Sequence, residues 1–384
     1  MAFARRRKGG DSLMIRRTLL VILTLGMVFV LIGPLSSGNV ASAKQDNTKV
    51  AYNLYFGDLH AHTGYSDAYE DSTPWDAYKA AIDAGADFMA LTDHAAIWHG
   101  YEAWTLDQNE WIDTLAAADY FTSRKFVAMA GYEAWLLANL GEINVYNVRE
   151  LPASGPQGAQ FDRLENFYDW LASQSGAIGQ FNHPLYVSDN FQDFAYYTET
   201  RDIGMSILEV YNDEFTEGSY IMALDAGWHV MPSANSDTHY SDWIAGNEMR
   251  TVLLAPSLTP DNLYAAMSAS RGYATLDKNM RISYTLNGEV MGSTLASQTS
   301  TYKALVHIED PDRVAADRIT LVEIVSDGGV VVASAPTHAN TVDLTFSLPS
   351  SAATYYYVRV TTASSLGGGP GVTAWTAPVW TGQV

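Results

Sequence analysis

The sequence predicts an α/β fold followed by a smaller all-β segment. Between residues 50 and 280, short continuous apolar runs alternate with helical patterns, which is typical of a parallel sheet with both faces covered. Polar residues gather directly after the carboxyl end of each apolar run, which favours a barrel with its site on that edge. From about Arg281 onward, β-branched and aromatic runs replace the helical pattern. We therefore predict an α/β barrel over residues 44–280 and a small β-sandwich over residues 281–384.

The elements of the α/β part follow from local signals. Ser72-Thr73-Pro74 supplies an N-cap and a proline for the first turn of a helix, and Gly85 ends that helix. Two further helical patterns cover residues 111–120 and 161–173. The strand-like runs lie at residues 50–56, 88–91, 126–130, 177–181, 206–211 and 228–231.

The later part reads as strands joined by turns. Gly328-Gly329 separates two apolar runs and predicts a hairpin. The expected strands lie at residues 318–325, 330–332, 341–346, 355–362 and 373–380.

Residues 1–43 predict an export signal. Basic residues at positions 5–8 and 16–17 precede an apolar run over residues 18–32, and Ala41-Ser42-Ala43 matches a cleavage site. An uncleaved anchor is the alternative, but this run is shorter than the roughly 20 residues that span a bilayer. We predict cleavage after Ala43 and a secreted or extracytoplasmic protein, in the periplasm or at the cell surface, without a stable membrane anchor.

Charge and cysteine content restrict the partners. Residues 1–43 hold six basic residues and one acidic residue, so the rest of the chain has 16 basic against 42 acidic residues, a formal charge of −26. Such a surface repels phosphate backbones, so we expect no nucleic acid partner. The chain has no cysteine, so it forms no disulfide and any metal ligands are nitrogen or oxygen atoms.

Histidines and carboxylates recur at the predicted strand ends. The alternating pair His60 and His62 projects two imidazoles from one side of an extended segment, so both can reach one cation. Further residues of ligand type follow in the motifs Ser66-Asp67, Thr92-Asp93-His94, Gly131-Tyr132-Glu133, Asn182-His183-Pro184 and Ser236-Asp237-Thr238-His239. The topology therefore predicts that segments far apart in sequence converge on one metal site.

Together these motifs resemble the PHP (polymerase and histidinol phosphatase) superfamily of metal-dependent hydrolases, and more narrowly its carbaryl-hydrolase-like exported branch. The resemblance covers residues 52–275 and rests on DLHAHTGYSDA (58–68), ALTDH (90–94), AGYEAW (130–135), FNHP (181–184) and ANSDTH (234–239). It implies a distorted (β/α)7 barrel that holds two or three divalent cations, zinc, manganese or iron, at its C-terminal rim.

The resemblance also implies the ligands of each cation. The first would be held by His60, His62, Glu133 and Asp237. The second would share Glu133 and take His183, and the third would take Asp67, His94 and His239. The family places a histidine where this chain has Glu142, and glutamate at that position either ligates the second cation or leaves its site incomplete.

Other residues are assigned supporting roles. We expect catalytic contributions from Asp237 and His239, and from Arg271 if it binds an anionic substrate; a plain salt bridge is the alternative for Arg271. Asp58 and Asp93 are predicted to orient neighbouring imidazoles. Glu209 faces the rim or is structural, and the aromatic side chains after the second strand line a pocket or pack: Trp98, His99 and Trp104.

The sequence thus predicts an exported metal-dependent hydrolase acting on a small-molecule ester. A phosphoesterase is favoured, with a hydroxide held between the cations as nucleophile. The alternatives are a carboxyl ester or carbamate hydrolase of the same fold, or a non-catalytic extracellular protein that keeps the metal cluster and contacts a glycan or cell wall through its β part. An amidohydrolase barrel is a weaker alternative, because no candidate for a carboxylated lysine is found.

Overall fold

A computed structural model describes residues 51–96, 105–135, 140–152, 163–185, 189–212, 214–349, 353–364 and 371–382. The predicted signal peptide, and Trp98, His99 and Trp104, lie outside these residues. Within them, no helix is long and apolar enough to cross a membrane.

The first part of the chain alternates strands and helices, as predicted. Its elements are β1 (Asn53–Asp58), α1 (Pro74–Asp83), β2 (Phe88–Leu91), β3 (His94–Ala96), α2 (Gln108–Phe121), β4 (Val127–Trp135), β5 (Glu142–Tyr146), α3 (Leu164–Ser173), β6 (Ile178–Phe181), α4 (Asp189–Phe194), α5 (Glu199–Asp202), β7 (Met205–Asn212), β8 (Glu214–Phe215), α6 (Glu217–Asp225), β9 (Met231–Ala234), β10 (Arg250–Ala255), α7 (Pro260–Ser268) and β11 (Gly272–Thr275). The backbone of α4 is left-handed from Asn190 to Phe194. Helix α1 begins as predicted, with Thr73 as N-cap in a capping box with Asp76.

The second part of the chain is built of strands. They are β12 (Arg281–Leu286), β13 (Glu289–Val290), β14 (Thr301–Glu309), β15 (Ile319–Ser326), β16 (Val330–Ala339), β17 (Thr341–Pro349), β18 (Tyr355–Thr362), β19 (Gly371–Thr376) and β20 (Val379–Trp380). A 3-10 turn at Asp327–Gly329 joins β15 to β16, which are antiparallel, so the predicted hairpin at Gly328-Gly329 is confirmed.

One large sheet carries the strands that precede the histidine and carboxylate motifs. Strands β1, β2 and β4 are parallel, as are β6, β7 and β9. The prediction of a wholly parallel sheet is wrong at β5, which lies antiparallel between β4 and β6, and at β10 and β11. The short connection from Trp135 to Glu142 explains β5, because only antiparallel neighbours can be joined without a long crossover.

Gly131 allows β5 to approach β4 closely. A Cβ atom at this position would lie 2.8 Å from the carbonyl oxygen of Val145. Because β5 runs against its neighbours, its first residue, Glu142, pairs with Trp135 near the end of β4. This reversal brings Glu142 to the edge where the ligand motifs lie.

The strand pairing does not separate residues 281–384 from the first part. Strand β19 pairs with β11, and β18, β15 and β16 continue the same sheet outward. Strands β13, β12, β14 and β17 form a second, four-stranded sheet. The sequence predicted β15, β17, β18 and part of β16 and β19, but it missed β12, β13 and β14. It could not show the partners of any of them, because pairing across a sheet leaves no local signal.

Three carboxylates approach one another where the two parts meet. Asp277 follows β11, Asp310 follows β14 and Asp317 precedes β15. Burial, and then the negative charges of Asp310 and Asp317, raise the pKa of Asp277 to about 6. Because the pKa of Asp277 in the folded state lies above the ordinary aspartate value of 3.8, ionising Asp277 costs stability. The cost grows as pH rises from about 4 to 6 and is complete above that range.

Asp277→Asn should therefore stabilise the fold by about 1–2 kcal/mol at pH 7.5 and leave it unchanged at pH 3.5. The amide oxygen can still accept the backbone N–H groups of Asn279 and Met280, which Asp277 accepts at 2.9 and 3.0 Å. Urea unfolding at both pH values checks this, with Asp71→Asn at an exposed position as the control. Equal effects of D277N at the two pH values would contradict the assignment.

Candidate metal centre

The ligand motifs meet at one edge of the large sheet. His60 and His62 follow β1, His94 begins β3, Glu133 lies in β4, and His183 follows β6. Asp237 follows β9 and is joined to the first motif by the backbone, since its N–H donates to the carbonyl oxygen of His60 at 2.9 Å. The carboxyl ends of parallel strands share an edge, so this convergence follows from the topology.

The first cluster consists of four buried or nearly buried side chains, His60, His62, Glu133 and Asp237. Five distances join their ligand atoms: His60 Nε2 lies 3.2 Å from His62 Nε2, from Glu133 Oε2 and from Asp237 Oδ1, and His62 Nε2 lies 3.3 Å from Glu133 Oε2 and 2.9 Å from Asp237 Oδ1. In a tetrahedral site with bonds of about 2.0–2.1 Å, neighbouring ligand atoms lie about 3.3–3.4 Å apart. The four atoms therefore fit a single divalent cation.

The donor set supports the same conclusion. His60 Nδ1 lies 2.9 Å from Glu209 Oε1, and because a carboxylate only accepts, the ring donates its proton there. The lone pair of His60 Nε2 then points at Glu133, Asp237 and His62. Buried acceptors that face one another require a cation or shared protons between them. Nitrogen and carboxylate ligands suit zinc, manganese and iron.

The second cluster shares Glu133 with the first. Glu133 Oε1 lies 3.3 Å from His183 Nε2, while its Oε2 faces the first cluster. Glu142 Oε2 lies 3.2 Å from His183 Nε2 on the other side. The structure thus brings Glu142, Glu133 and His183 close enough together for two carboxylates and one imidazole to bind one cation. Glu133 has the geometry of a bridging carboxylate.

The third cluster combines Asp67 with His94 and His239. Asp67 Oδ1 lies 3.2 Å from His239 Nε2, and Asp67 Oδ2 lies 3.6 Å from His94 Nε2. His62 joins this group through its other ring nitrogen, Nδ1, 3.9 Å from Asp67 Oδ1. The three clusters therefore form a chain linked by Glu133 and His62.

The carboxylates dominate the electrostatics of these clusters. Burial opposes protonation of His60, but Asp237, Glu133 and Glu209 outweigh it and raise the pKa of His60 well above its usual range. The same balance, with hydrogen bonds to Asp237 and Glu133, raises the pKa of His62 to about 9. Burial would raise the pKa of Glu133, but the surrounding imidazoles hold it well below its usual value.

Two candidate ligands have a backbone conformation that is unusual for their residue types. His183 has φ of 26° and Asp237 has φ of 46°, both in the left-handed region. Such conformations cost about 1–3 kcal/mol and persist where surrounding structure enforces them. They cluster at functional sites, and here both lie within three residues of the end of a strand of the sheet.

Asp58 and Asp93 were expected to orient imidazole rings, but their hydrogen bonds go to backbone and hydroxyl groups of the ligand loops, and Asp93 reaches the His62 ring only through the Ser66 hydroxyl. Asp58 accepts the backbone N–H groups of His60 at 2.9 Å and Ser236 at 3.1 Å. Asp93 accepts Thr63 N–H at 2.6 Å and the Ser66 hydroxyl at 2.7 Å. Both carboxylates therefore fix the backbone of the loops that carry the ligands, and the sequence could not separate these two roles.

Arg271 lies away from the clusters, which corrects its predicted catalytic role. It precedes β11, and its guanidinium carbon lies 4.7 Å from the centroid of the Tyr52 ring. The register pairs Asn53 with Ala255 and Leu253 with Gly272, so Arg271 is at the end of β1 opposite His60. An arginine there cannot meet a substrate bound at the clusters.

Buried polar residues behind the ligands were missed or left open by the sequence. Gln180 lies in β6, Glu209 in β7, and Asn235 follows β9, and all three are fully buried. The available signal was a polar residue inside an otherwise apolar strand, as in Ser206-Ile207-Leu208-Glu209-Val210-Tyr211. A polar group at such a position needs partners, which here are the ligand loops.

No protein-family model matches this chain, and no curated protein matches it. Among solved structures, the chain is similar to a two-domain protein from Bacteroides vulgatus that contains a predicted PHP-like metal-dependent phosphoesterase, with 14% identity and a TM-score of 0.44 over 87% of this chain and 100% of that chain. It is also similar to a candidate metal-dependent phosphoesterase from Bifidobacterium adolescentis, with 14% identity and a TM-score of 0.30 over 47% of this chain and 87% of that chain. At these identities and TM-scores, neither likeness assigns a function to this chain.

Proposed function

We propose that this chain is an exported metal-dependent hydrolase of the PHP superfamily, in its carbaryl-hydrolase-like branch. The observation that supports this is the chain of three clusters linked by Glu133 and His62. We further propose that residues 1–43 are removed, that residues 44–280 form a distorted (β/α)7 barrel whose sheet continues into β19, β18, β15 and β16, and that residues 281–384 contact a glycan or cell wall.

The residues of the clusters would hold two or three divalent cations. Such cations, when bound, polarise an ester and lower the pKa of water, which supplies a nucleophile at neutral pH. Glu133 would contribute one oxygen to each of the first two cations, since each of its oxygens faces a different cluster. No serine or cysteine nucleophile is required.

Asp237 and His239 lie on the accessible side of the centre. Their side chains are 20% and 24% exposed, whereas those of His60 and His62 are fully buried. Asn212 Nδ2 donates to Asp237 Oδ2 at 3.1 Å, which turns Oδ1 toward the first cluster. The carbonyl oxygen of Asp237 lies 2.9 Å from His239 Nδ1, so His239 Nε2 faces Asp67. We place substrate contact and proton transfer on these two residues.

A phosphoester is the small-molecule substrate that we propose. A carboxyl ester or carbamate is the alternative, and one observation supports it. Within the described part of the chain, the ion pairs of the three clusters involve only histidine, aspartate and glutamate. Every lysine and arginine beyond residue 50 belongs to that part. No lysine or arginine of these residues forms an ion pair with a cluster residue, so the charge of a phosphate group would be balanced mainly by the cations. A nucleic acid substrate is disfavoured by the acidic surface.

Removal of the metal should abolish hydrolysis. We expect purified protein to contain zinc, manganese or iron, and dialysis against a strong chelator to remove both the metal and the activity toward aryl phosphomonoesters, phosphodiesters or carboxyl esters. Return of each metal separately should restore activity, because in this proposal the bound cations supply the nucleophile. Mass spectrometry of the metal content beside turnover checks this. Activity that persists without bound metal would exclude the proposal.

A further inference from the structure

Glu209 occupies a buried position directly behind the first two clusters. Its side chain lies in β7 and is fully buried. Five donors surround its two oxygens: His60 Nδ1 at 2.9 Å, Asn235 Nδ2 at 2.9 Å and Gln180 Nε2 at 3.2 Å on Oε1, and the backbone N–H of His183 at 2.8 Å and Asn212 Nδ2 at 3.2 Å on Oε2. A carboxylate matches this arrangement because it only accepts hydrogen bonds.

The amides around Glu209 cannot reverse their polarity. Asn235 Oδ1 accepts the backbone N–H of Leu59 at 3.0 Å and the hydroxyl of Thr251 at 2.8 Å, so its Nδ2 must face Glu209. Gln180 Oε1 accepts the hydroxyl of Ser233 at 3.2 Å, which turns its Nε2 toward Glu209. An amide in place of Glu209 would therefore set an NH2 group against donors.

Each oxygen of Glu209 acts on a ligand of a different cluster. Oε1 accepts a hydrogen bond from the Nδ1–H of His60, which leaves Nε2 as the ring atom that can bind a cation. Oε2 holds the backbone N–H of His183, whose φ of 26° needs such support. Glu133 links the two clusters through its own candidate ligand atoms. Glu209 links them through hydrogen bonds to His60 and His183.

We propose that Glu209 is a positioning residue shared by the first two metal sites, and that it sets the cation affinity of both. This inference rests on the proposed function. It separates Glu209 from Glu142, whose contact at the centre is with His183 of the second cluster. Loss of Glu209 should weaken both sites together, and loss of Glu142 should weaken the second site alone.

The test is a titration of metal-free protein with zinc or manganese alone, followed by calorimetry and by competition with a chromogenic chelator. Partners that orient metal-binding histidines typically contribute about 10–100-fold to metal affinity. We expect Glu209→Gln to weaken binding at both sites by that factor. Glu142→Ala should weaken one site. Ser270→Ala is the control, because Ser270 is buried and loses hydrogen bonds to His229 and Ser206 far from the clusters.

Three outcomes decide the inference. Wild-type affinity at both sites in E209Q would overturn it, provided that the wild-type protein binds the cation. If the wild-type protein binds no divalent cation, the proposed function fails first and for a separate reason. Where circular dichroism shows that E209Q is unfolded, Glu209→Asp replaces it, and unchanged affinity in that folded variant overturns the inference as well.

Discussion

Glu133→Gln should remove most of the activity and disturb two metal sites at once. Its oxygens face His60 and His62 on one side and His183 on the other, and an amide offers only one oxygen. Loss of a single group that stabilises the transition state typically lowers kcat by about 10²–10³-fold. Because Glu133 would hold two cations, we expect a loss of at least about 10³-fold. Turnover and metal content by mass spectrometry should fall together.

The control for this variant is Glu248→Gln. Glu248 is exposed and pairs with Lys278, so the substitution removes one carboxylate from the surface without touching the clusters. It should retain wild-type turnover and metal content. An E133Q protein that keeps two cations per chain would contradict the bridging geometry, even if its activity were low.

Glu142→Ala should deplete the second site and leave the first site filled. The variant removes the carboxylate that lies 3.2 Å from His183 Nε2, and it leaves His60, His62 and Asp237 unchanged. We expect at least about tenfold weaker binding of one cation and a parallel loss of turnover. Metal stoichiometry measured beside turnover checks both parts.

Glu142→His should restore the second site and shift its preference toward zinc. An imidazole is neutral and softer than a carboxylate, so manganese loses more than zinc by this exchange. Glu150→Ala, at an exposed position at the end of the same segment, serves as the control. If E142A and E142H both keep wild-type metal content and rate, Glu142 is not a ligand.

Much of the fold was readable because its signals are local. The runs at residues 88–91 and 355–362 coincide with β2 and β18, and the N-cap of α1 falls at Thr73. The strand predicted at residues 228–231 lies further on, at Met231–Ala234, because the apolar Trp228 and Val230 pack in the core ahead of the strand. Local composition identified the elements, and their ends needed the tertiary structure.

The site was predictable in its residue types and less so in its supports. The motifs at His60, His94, His183 and Asp237 stand at strand ends, where topology alone brings them together. The prediction for Arg271 was wrong because the sequence does not show how β11 is oriented. Strand β11 is antiparallel to β10, and β10 is antiparallel to β1, so β11 begins at the edge of the sheet opposite the metal clusters. Glu142 reached the centre only through the antiparallel β5, a pairing that depends on a hairpin rather than on an apolar pattern.

The backbone bond from Asp237 to His60 has a kinetic consequence. It joins the first and last segments of the first cluster, and closing so long a loop is costly before the strands between these segments have paired, so we expect this contact to form late in folding. Contacts made that late contribute little to the folding rate and mainly slow unfolding. A cation bound there would also stabilise the native state in proportion to the logarithm of its concentration. The lifetime of the folded protein would then increase with the metal concentration of its surroundings. The cation would bind as the last step of folding and would have to dissociate before the protein could unfold.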